Sequence, residues 1–146
     1  AMINHDLSYK YARLRERGYK SVIHLRDLDY QAVEYASDLS SGAGMAAMQN
    51  LLKDNPPDAV FAVSDTLAAG ALRAIQQAGL RVPEDIAVVG FDGTELADMI
   101  SLTTIEQPSR DIGRKAVNLL LNKIDNPDAP TERVMMDWRF ISRAST

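Results

Sequence analysis

The chain contains no cysteine, so neither a disulfide framework nor a thiolate metal site is open to it. Its two histidines, His5 and His24, stand far apart, which argues against a histidine-rich metal centre. No apolar run approaches the about 18 residues of a membrane span, and the N-terminal stretch has no apolar signal-peptide core. Cations do not dominate either. Sixteen Lys and Arg against 20 Asp and Glu leave a net charge of −4, with no global attraction to nucleic acid. Repeats and low-complexity tracts are missing as well. These absences predict a cytoplasmic protein with no membrane partner, no cofactor and no metal. Ala1 ahead of Met2 reads as a cloning remnant.

What is present suffices for one domain, or one domain with a piece missing: 146 residues, 46% apolar and 25% charged. Short apolar runs alternate with helical periodicity, the pattern of a parallel sheet covered by helices. Asp6 or Ser8 is expected to cap a helix reaching about Leu25, with Tyr11, Leu14, Tyr19, Val22 and Ile23 on its apolar face. Gly18 costs that helix about 1 kcal/mol relative to Ala, which predicts close packing or a break there. Residues 30–35 can form a short strand, and residues 41–52 a helix stopped by Pro56 and Pro57. The continuous apolar run at 59–63 predicts a strand buried on both faces. A helix over 66–78 ends at Gly79, and 86–91 is the second core strand. Residues 102–107 are extended, since Pro108 disfavours helix at the preceding residue. A helix then opens at Ser109 or Asp111 with Ile112, Ala116, Val117, Leu120, Leu121 and Ile124 on one face, and 133–142 reads as a last strand.

Two strand exits carry polar residues. Asp65, directly before a helical run, is either an N-cap worth about 1 kcal/mol or a functional group. Ser64 stands at the C-terminal end of a buried strand, where open α/β sheets bind their ligands. Phe91-Asp92-Gly93 has the same placement after the next core strand, where the carboxylate either caps the following segment or accepts from a hydroxyl-rich ligand. Two such exits on neighbouring strands favour the ligand.

Gly42-Ala43-Gly44-Met45-Ala46-Ala47 is a G-x-G-x-x-A string, but a dinucleotide fingerprint needs its glycines directly after an apolar strand. The preceding residues 36–40 are polar, so the string reads as a helix start with small residues. Lys10, Arg13, Arg15, Arg17 and Lys20 form the one basic cluster, ordinarily a solvated helix face. A single arginine turned inward would grip ligand oxygens with two parallel hydrogen bonds. No catalytic constellation is found, and the chain is not expected to be an enzyme.

In this order the segments resemble one family. Ala59-Val60-Phe61-Ala62-Val63-Ser64-Asp65 with Ala68-Ala69-Gly70-Ala71-Leu72 carries one motif, and Arg81-Val82-Pro83-Glu84-Asp85 leading to Val88-Val89-Gly90-Phe91-Asp92 another. Thr103-Thr104-Ile105-Glu106-Gln107-Pro108 and the closing Ile141-Ser142-Arg143 complete the match. From about Leu7 onward the chain resembles the effector-binding region of LacI/GalR-type bacterial transcriptional regulators, related in fold to periplasmic sugar-binding proteins. The resemblance implies two α/β lobes closing on a sugar-like or nucleoside-like effector, with closure acting on a separate DNA-binding head. By position it makes Arg15 the arginine on effector oxygens, Asp92 the acceptor of ligand hydroxyls, and Gln107 a polar contact at the crossover. Ser64 falls where relatives often carry asparagine, and Leu39 where some sugar binders place an aromatic ring. A solute-binding protein of a sugar importer is the alternative of the same fold.

The resemblance also implies an organisation: residues 1–108 as a C-terminal lobe with its N-terminus truncated, 109–126 as a helix of the first lobe, and 127–146 as the returning strand. The lobe's first strand is expected to be reduced to Met2-Ile3, leaving backbone groups unpaired. A homodimer is expected, because a helix with Leu119, Leu120, Leu121 and Ile124 needs an apolar partner.

Overall fold

A computed structural model describes residues 1–29 and 31–146. Tyr30, the first residue of the strand expected at 30–35, lies outside the described residues. In chain order the elements are β1 Met2–Asn4, α1 Lys10–Leu25, β2 Val33–Tyr35, α2 Ser41–Leu51, β3 Ala59–Ala62 and α3 Asp65–Gln77. They continue with β4 Ala87–Asp92, α4 Glu95–Met99, β5 Thr103–Glu106, α5 Ser109–Asp125 and β6 Arg139–Ile141. All six strands join one sheet in the order β2-β1-β3-β4-β5-β6.

The first five strands pair in parallel, whereas β6 runs antiparallel to β5, so the sheet is mixed rather than wholly parallel. From β1 the chain steps one way to β2, then back across to β3, β4 and β5. Right-handed crossovers under that reversal put α1 on one face and α2 and α3 on the other, which is the doubly wound arrangement. On the second face α2 and α3 pack directly on each other. One glycine on each helix serves that contact: a Cβ at Gly44 of the G-x-G-x-x-A string would lie 2.3 Å from the Leu67 carbonyl oxygen, and one at Gly70 on α3 2.0 Å from that of Ser41. Between the layers sits the core of Met2, Ile3, Met48, Leu67, Ile75, Val60, Val88 and Leu102.

Several expectations need correction. The first strand is not lost: all three residues of β1 are buried and its backbone is bonded on both sides, with Met2 N–H donating to the Ala32 carbonyl at 2.9 Å and Val63 N–H to that of Ile3 at 3.0 Å. No donor or acceptor row is left for a second copy to complete there. Helix α1 starts at Lys10 with Tyr9 at its cap position and no side-chain cap; Asp6 instead accepts from the Ser8 N–H and hydroxyl in the preceding turn. The apolar face predicted for α1 is also wrong in part. Leu14 and Val22 are exposed, and the buried positions are Ala12 and Glu16. Glu16 tolerates burial because Asn4 Nδ2 at 2.9 Å, the Tyr35 hydroxyl at 3.0 Å and Lys20 Nζ at 2.6 Å all donate to its carboxylate. Nothing lies within 4 Å of a Cβ built on Gly18, so neither close packing nor a break explains it.

Strand β3 is covered fully on one face only, since Ala59 is exposed and Phe61 partly so. A groove of about 730 Å³ runs along that open face beside Tyr19, Val22, Ile23 and Pro57. The last strand shrinks to Arg139–Ile141. Beyond it the tail locks into the sheet: Ser145 Oγ donates to the Val88 carbonyl at 2.6 Å and accepts the Thr103 N–H at 2.8 Å. Helix α4 was not anticipated from the sequence, and α5 buries none of its residues.

Candidate functional site

The C-terminal ends of the parallel strands share one edge of the sheet, and the strand order reverses between β1 and β3. Ligands of open α/β sheets lie in the crevice at such a point. Here the crevice receives Arg15 from the first half of α1, Ser64 from the turn after β3, Asp92 from the end of β4 and Gln107 just beyond β5. The structure therefore brings together three of the four residues singled out from sequence in direct contact. Gln107 Nε2 donates to Asp92 Oδ1 at 2.9 Å, and Arg15 Nη2 lies 3.8 Å from the same oxygen. Ser64 joins them along the wall of a cleft of about 280 Å³ that Tyr11, Arg15, Leu39, Val63 and Asp92 also line.

Arg15 is the inward-turned member of the basic cluster; Lys10, Arg13, Arg17 and Lys20 stay exposed. Its Nη1 donates to the Val63 carbonyl at 2.6 Å. Its guanidinium carbon sits 3.6 Å from the Phe91 ring centroid and 5.1 Å from that of Tyr11. Two rings and one carbonyl thus hold the plane of the guanidinium, leaving N–H groups for an incoming oxygen. Burial lowers the Arg15 pKa from its ordinary value, against the pull of Asp92. Burial also pushes the Asp92 carboxyl above the usual carboxylate range; Arg15 opposes this, the nearby Asp65 charge adds to it, and Gln107 opposes it. The backbone at Asp92 is strained, with φ at 120, and Gly93 follows at φ 71. A non-glycine residue held there costs about 1–3 kcal/mol, and such residues cluster at ligand sites.

Ser64 and Asp65 exchange the structural roles expected of them. Ser64 is the cap of α3, its Oγ accepting the Leu67 N–H at 3.2 Å, which leaves its hydroxyl hydrogen for the cleft. Asp65 is fully buried and turns away into the protein, where Thr94 N–H at 2.7 Å, the Thr94 hydroxyl at 2.9 Å and the Thr104 hydroxyl at 2.5 Å donate to it. Sequence reasoning missed Tyr11, assigning it to the apolar helix face; it lines the cleft, and its hydroxyl meets His5 Nδ1 at 3.1 Å. Its spacing four residues before Arg15 is the signal that places both on one helix face. Phe91, assigned to the core, is the ring under Arg15. Among the described residues no group of three or more His, Cys, Asp or Glu could hold a metal ion, and no helix is long and apolar enough to cross a membrane. The cleft is lined by a cation, a carboxylate, a hydroxyl and the Tyr11 ring, with the Gln107 amide bonded to its carboxylate.

A family profile described as "Periplasmic binding protein-like domain" matches residues 1–146. The ribose operon repressor of Escherichia coli (strain K12) is 36% identical over 150 residues, covering 99% of this chain and 45% of the repressor. The HTH-type transcriptional repressor CytR of the same strain is 43% identical over 112 residues, covering 75% of this chain and 33% of the repressor. A solved lac repressor dimer bound to operator and the anti-inducer ONPF superposes with a TM-score of 0.88 at 33% identity, covering 100% of this chain and 51% of that one. The chain thus spans about half or less of each relative's length. These relatives are transcriptional repressors, neither enzymes nor importer components. With the whole of its length matched, the chain belongs to the periplasmic binding protein-like domain family, and it is similar to the LacI/GalR-type repressors whose motifs it carries.

Proposed function

We propose that this chain is the effector-sensing lobe of a LacI/GalR-type transcriptional regulator acting in the cytoplasm. A hydroxyl-bearing small molecule, of the sugar or nucleoside class, occupies the crevice. Arg15 donates to its oxygens, Asp92 accepts from its hydroxyls, and Gln107 and Ser64 contribute the remaining polar contacts. The observation that carries this reading is the contact of Arg15, Asp92 and Gln107 at the C-terminal ends of the parallel strands. Gln107 stands immediately before α5, and α5 leaves its apolar side bare, with Leu120 and Leu121 more than half exposed. That supports assigning residues 109–126 to the opposite lobe, with residues 1–108 and 127–146 forming this one. Effector bound between the lobes then favours the closed state. DNA, contacted by a separate head domain, feels the effector only to the extent that the two states differ in affinity for it. The regulator works as a homodimer.

A thermal-shift screen of this chain against pentoses, hexoses, nucleosides and sugar phosphates at millimolar concentration tests the reading. A ligand at 100 times its dissociation constant adds about 2.7 kcal/mol of stability. The expected result is a shift from one class that Asp92→Ala abolishes. A shift that survives Asp92→Ala, or a panel with none, overturns the site as drawn.

A further inference from the structure

Asp65 is a fully buried carboxylate whose hydrogen-bond donors among the described residues are all uncharged, one residue from the cleft-lining Ser64 and outside the cleft. Its three donors are all on the segments that present Asp92. The main-chain N–H and the hydroxyl of Thr94 fix the residue two places after Asp92, and the hydroxyl of Thr104 on β5 completes the set. Thr104 Oγ1 in turn accepts the Gly93 N–H at 3.4 Å. Both residues following Asp92 are therefore tied, one directly and one through a hydroxyl, to a single side chain from another element. The tied residues overlap and directly follow two consecutive residues of positive φ, Asp92 and Gly93. Strand β4 is shaped to admit this carboxylate. A Cβ at Gly90 would come within 2.5 Å of Asp65 Oδ1, so only glycine lets the acid reach the turn.

We propose that Asp65 is the positioning residue of the effector site: it never meets the ligand, and it holds the Asp92-Gly93-Thr94 turn in the strained conformation that aims the Asp92 carboxylate into the crevice. The proposal rests on Asp92 being the acceptor of effector hydroxyls. It also explains why a buried acid is retained where an apolar side chain would pack more cheaply, since only an acceptor of several bonds can gather two hydroxyls and an N–H at one point.

The test pairs amide hydrogen exchange of the 146-residue chain with calorimetric titration of D-ribose and cytidine, in wild type, Asp65→Ala, Thr104→Val and Thr104→Ser. Asp65→Ala should speed exchange at Thr94, and Thr104→Val at Gly93, at least tenfold, with the Val63 amide unchanged within twofold. Whichever of the two probes the wild type binds should weaken at least tenfold in both variants. Thr104→Ser, which keeps the hydroxyl, should restore both readouts. Unchanged exchange at Gly93 and Thr94 overturns the proposal, as does a uniform rise across the sheet, which would mark Asp65 as merely stabilising. Should Asp65→Ala fail to fold, the contrast of Thr104→Val with Thr104→Ser decides alone. If the wild type binds neither probe, the effector reading loses these ligands, while the exchange pattern still decides for or against Asp65.

Discussion

At Asp92 two demands collide. The side chain is proposed here as a ligand acceptor, yet burial raises its pKa and the backbone beneath it has a positive φ. A carboxyl whose folded pKa is raised binds its proton more tightly in the native state than in the unfolded chain. Its contribution is therefore fully present below the ordinary carboxylate range and is lost as pH rises through the higher, folded value. At neutral pH the ionised group weakens the fold. Asp92→Asn should thus raise the melting temperature at pH 7 and flatten the decline in stability with pH just above the ordinary carboxylate range, while removing the effector response. Melting curves from pH 3 to 8 with and without effector check this; a lower melting temperature at pH 7 would refute it. Residue types told the rest of the site only in part. Ser64 and Asp92 were legible as polar groups at strand exits, while Arg15 and Gln107 were singled out only through the family resemblance. Tyr11 and Phe91 were not, because an aromatic ring reads as core until its neighbour is known to be a guanidinium.

Among the elements, the close pairing of α2 with α3 depends on two glycines. A methyl group at Gly70 would meet the Ser41 carbonyl oxygen and the Met45 nitrogen, both main chain and unable to swing aside. Gly70→Ala should cost about 2–3 kcal/mol, by helix displacement. Gly18→Ala is the counterpart: space is open around it within a helix, so the substitution should stabilise by up to about 1 kcal/mol. Urea denaturation of the two variants gives opposite signs, and equal signs would contradict the packing account. Helices α2, α3 and α5 and strands β3, β4 and β5 were readable from periodicity and breakers to within a residue or two. Helix α4 was not, being one turn long and capped by Thr94. Nor was the short β6, whose neighbours at 133–138 carry strand-like residues without a strand to pair with.

For the molecule as a whole, the surface of α5 is the feature without an internal explanation. Ile112, Val117, Leu120, Leu121 and Ile124 are all at least 40% exposed. Since the helix buries nothing within the chain, Leu120→Glu with Leu121→Glu should change the stability of this lobe by less than about 1 kcal/mol. The same pair should abolish any association through that face. Denaturant titration and light scattering at high micromolar concentration read the two effects separately. A large loss of stability would mean that α5 packs on this lobe after all, and unchanged association would place the contact elsewhere.

By itself the sequence determined the α/β class, the order of most elements and the strand exits that carry polar groups, because periodicity, prolines and glycines act locally. It also specified which residue types could meet a hydroxylated ligand. Tertiary structure decided what pairwise geometry alone can decide. It made Ser64 the cap and Asp65 the buried anchor, although either side chain could serve as a cap. It turned one of the five basic residues inward, Arg15, onto Phe91 and the Val63 carbonyl. It buried Glu16 where three donors converge, and reversed β6 against β5. Each of these outcomes depends on groups distant in sequence, and the bonds that fix them exist only once the sheet has formed.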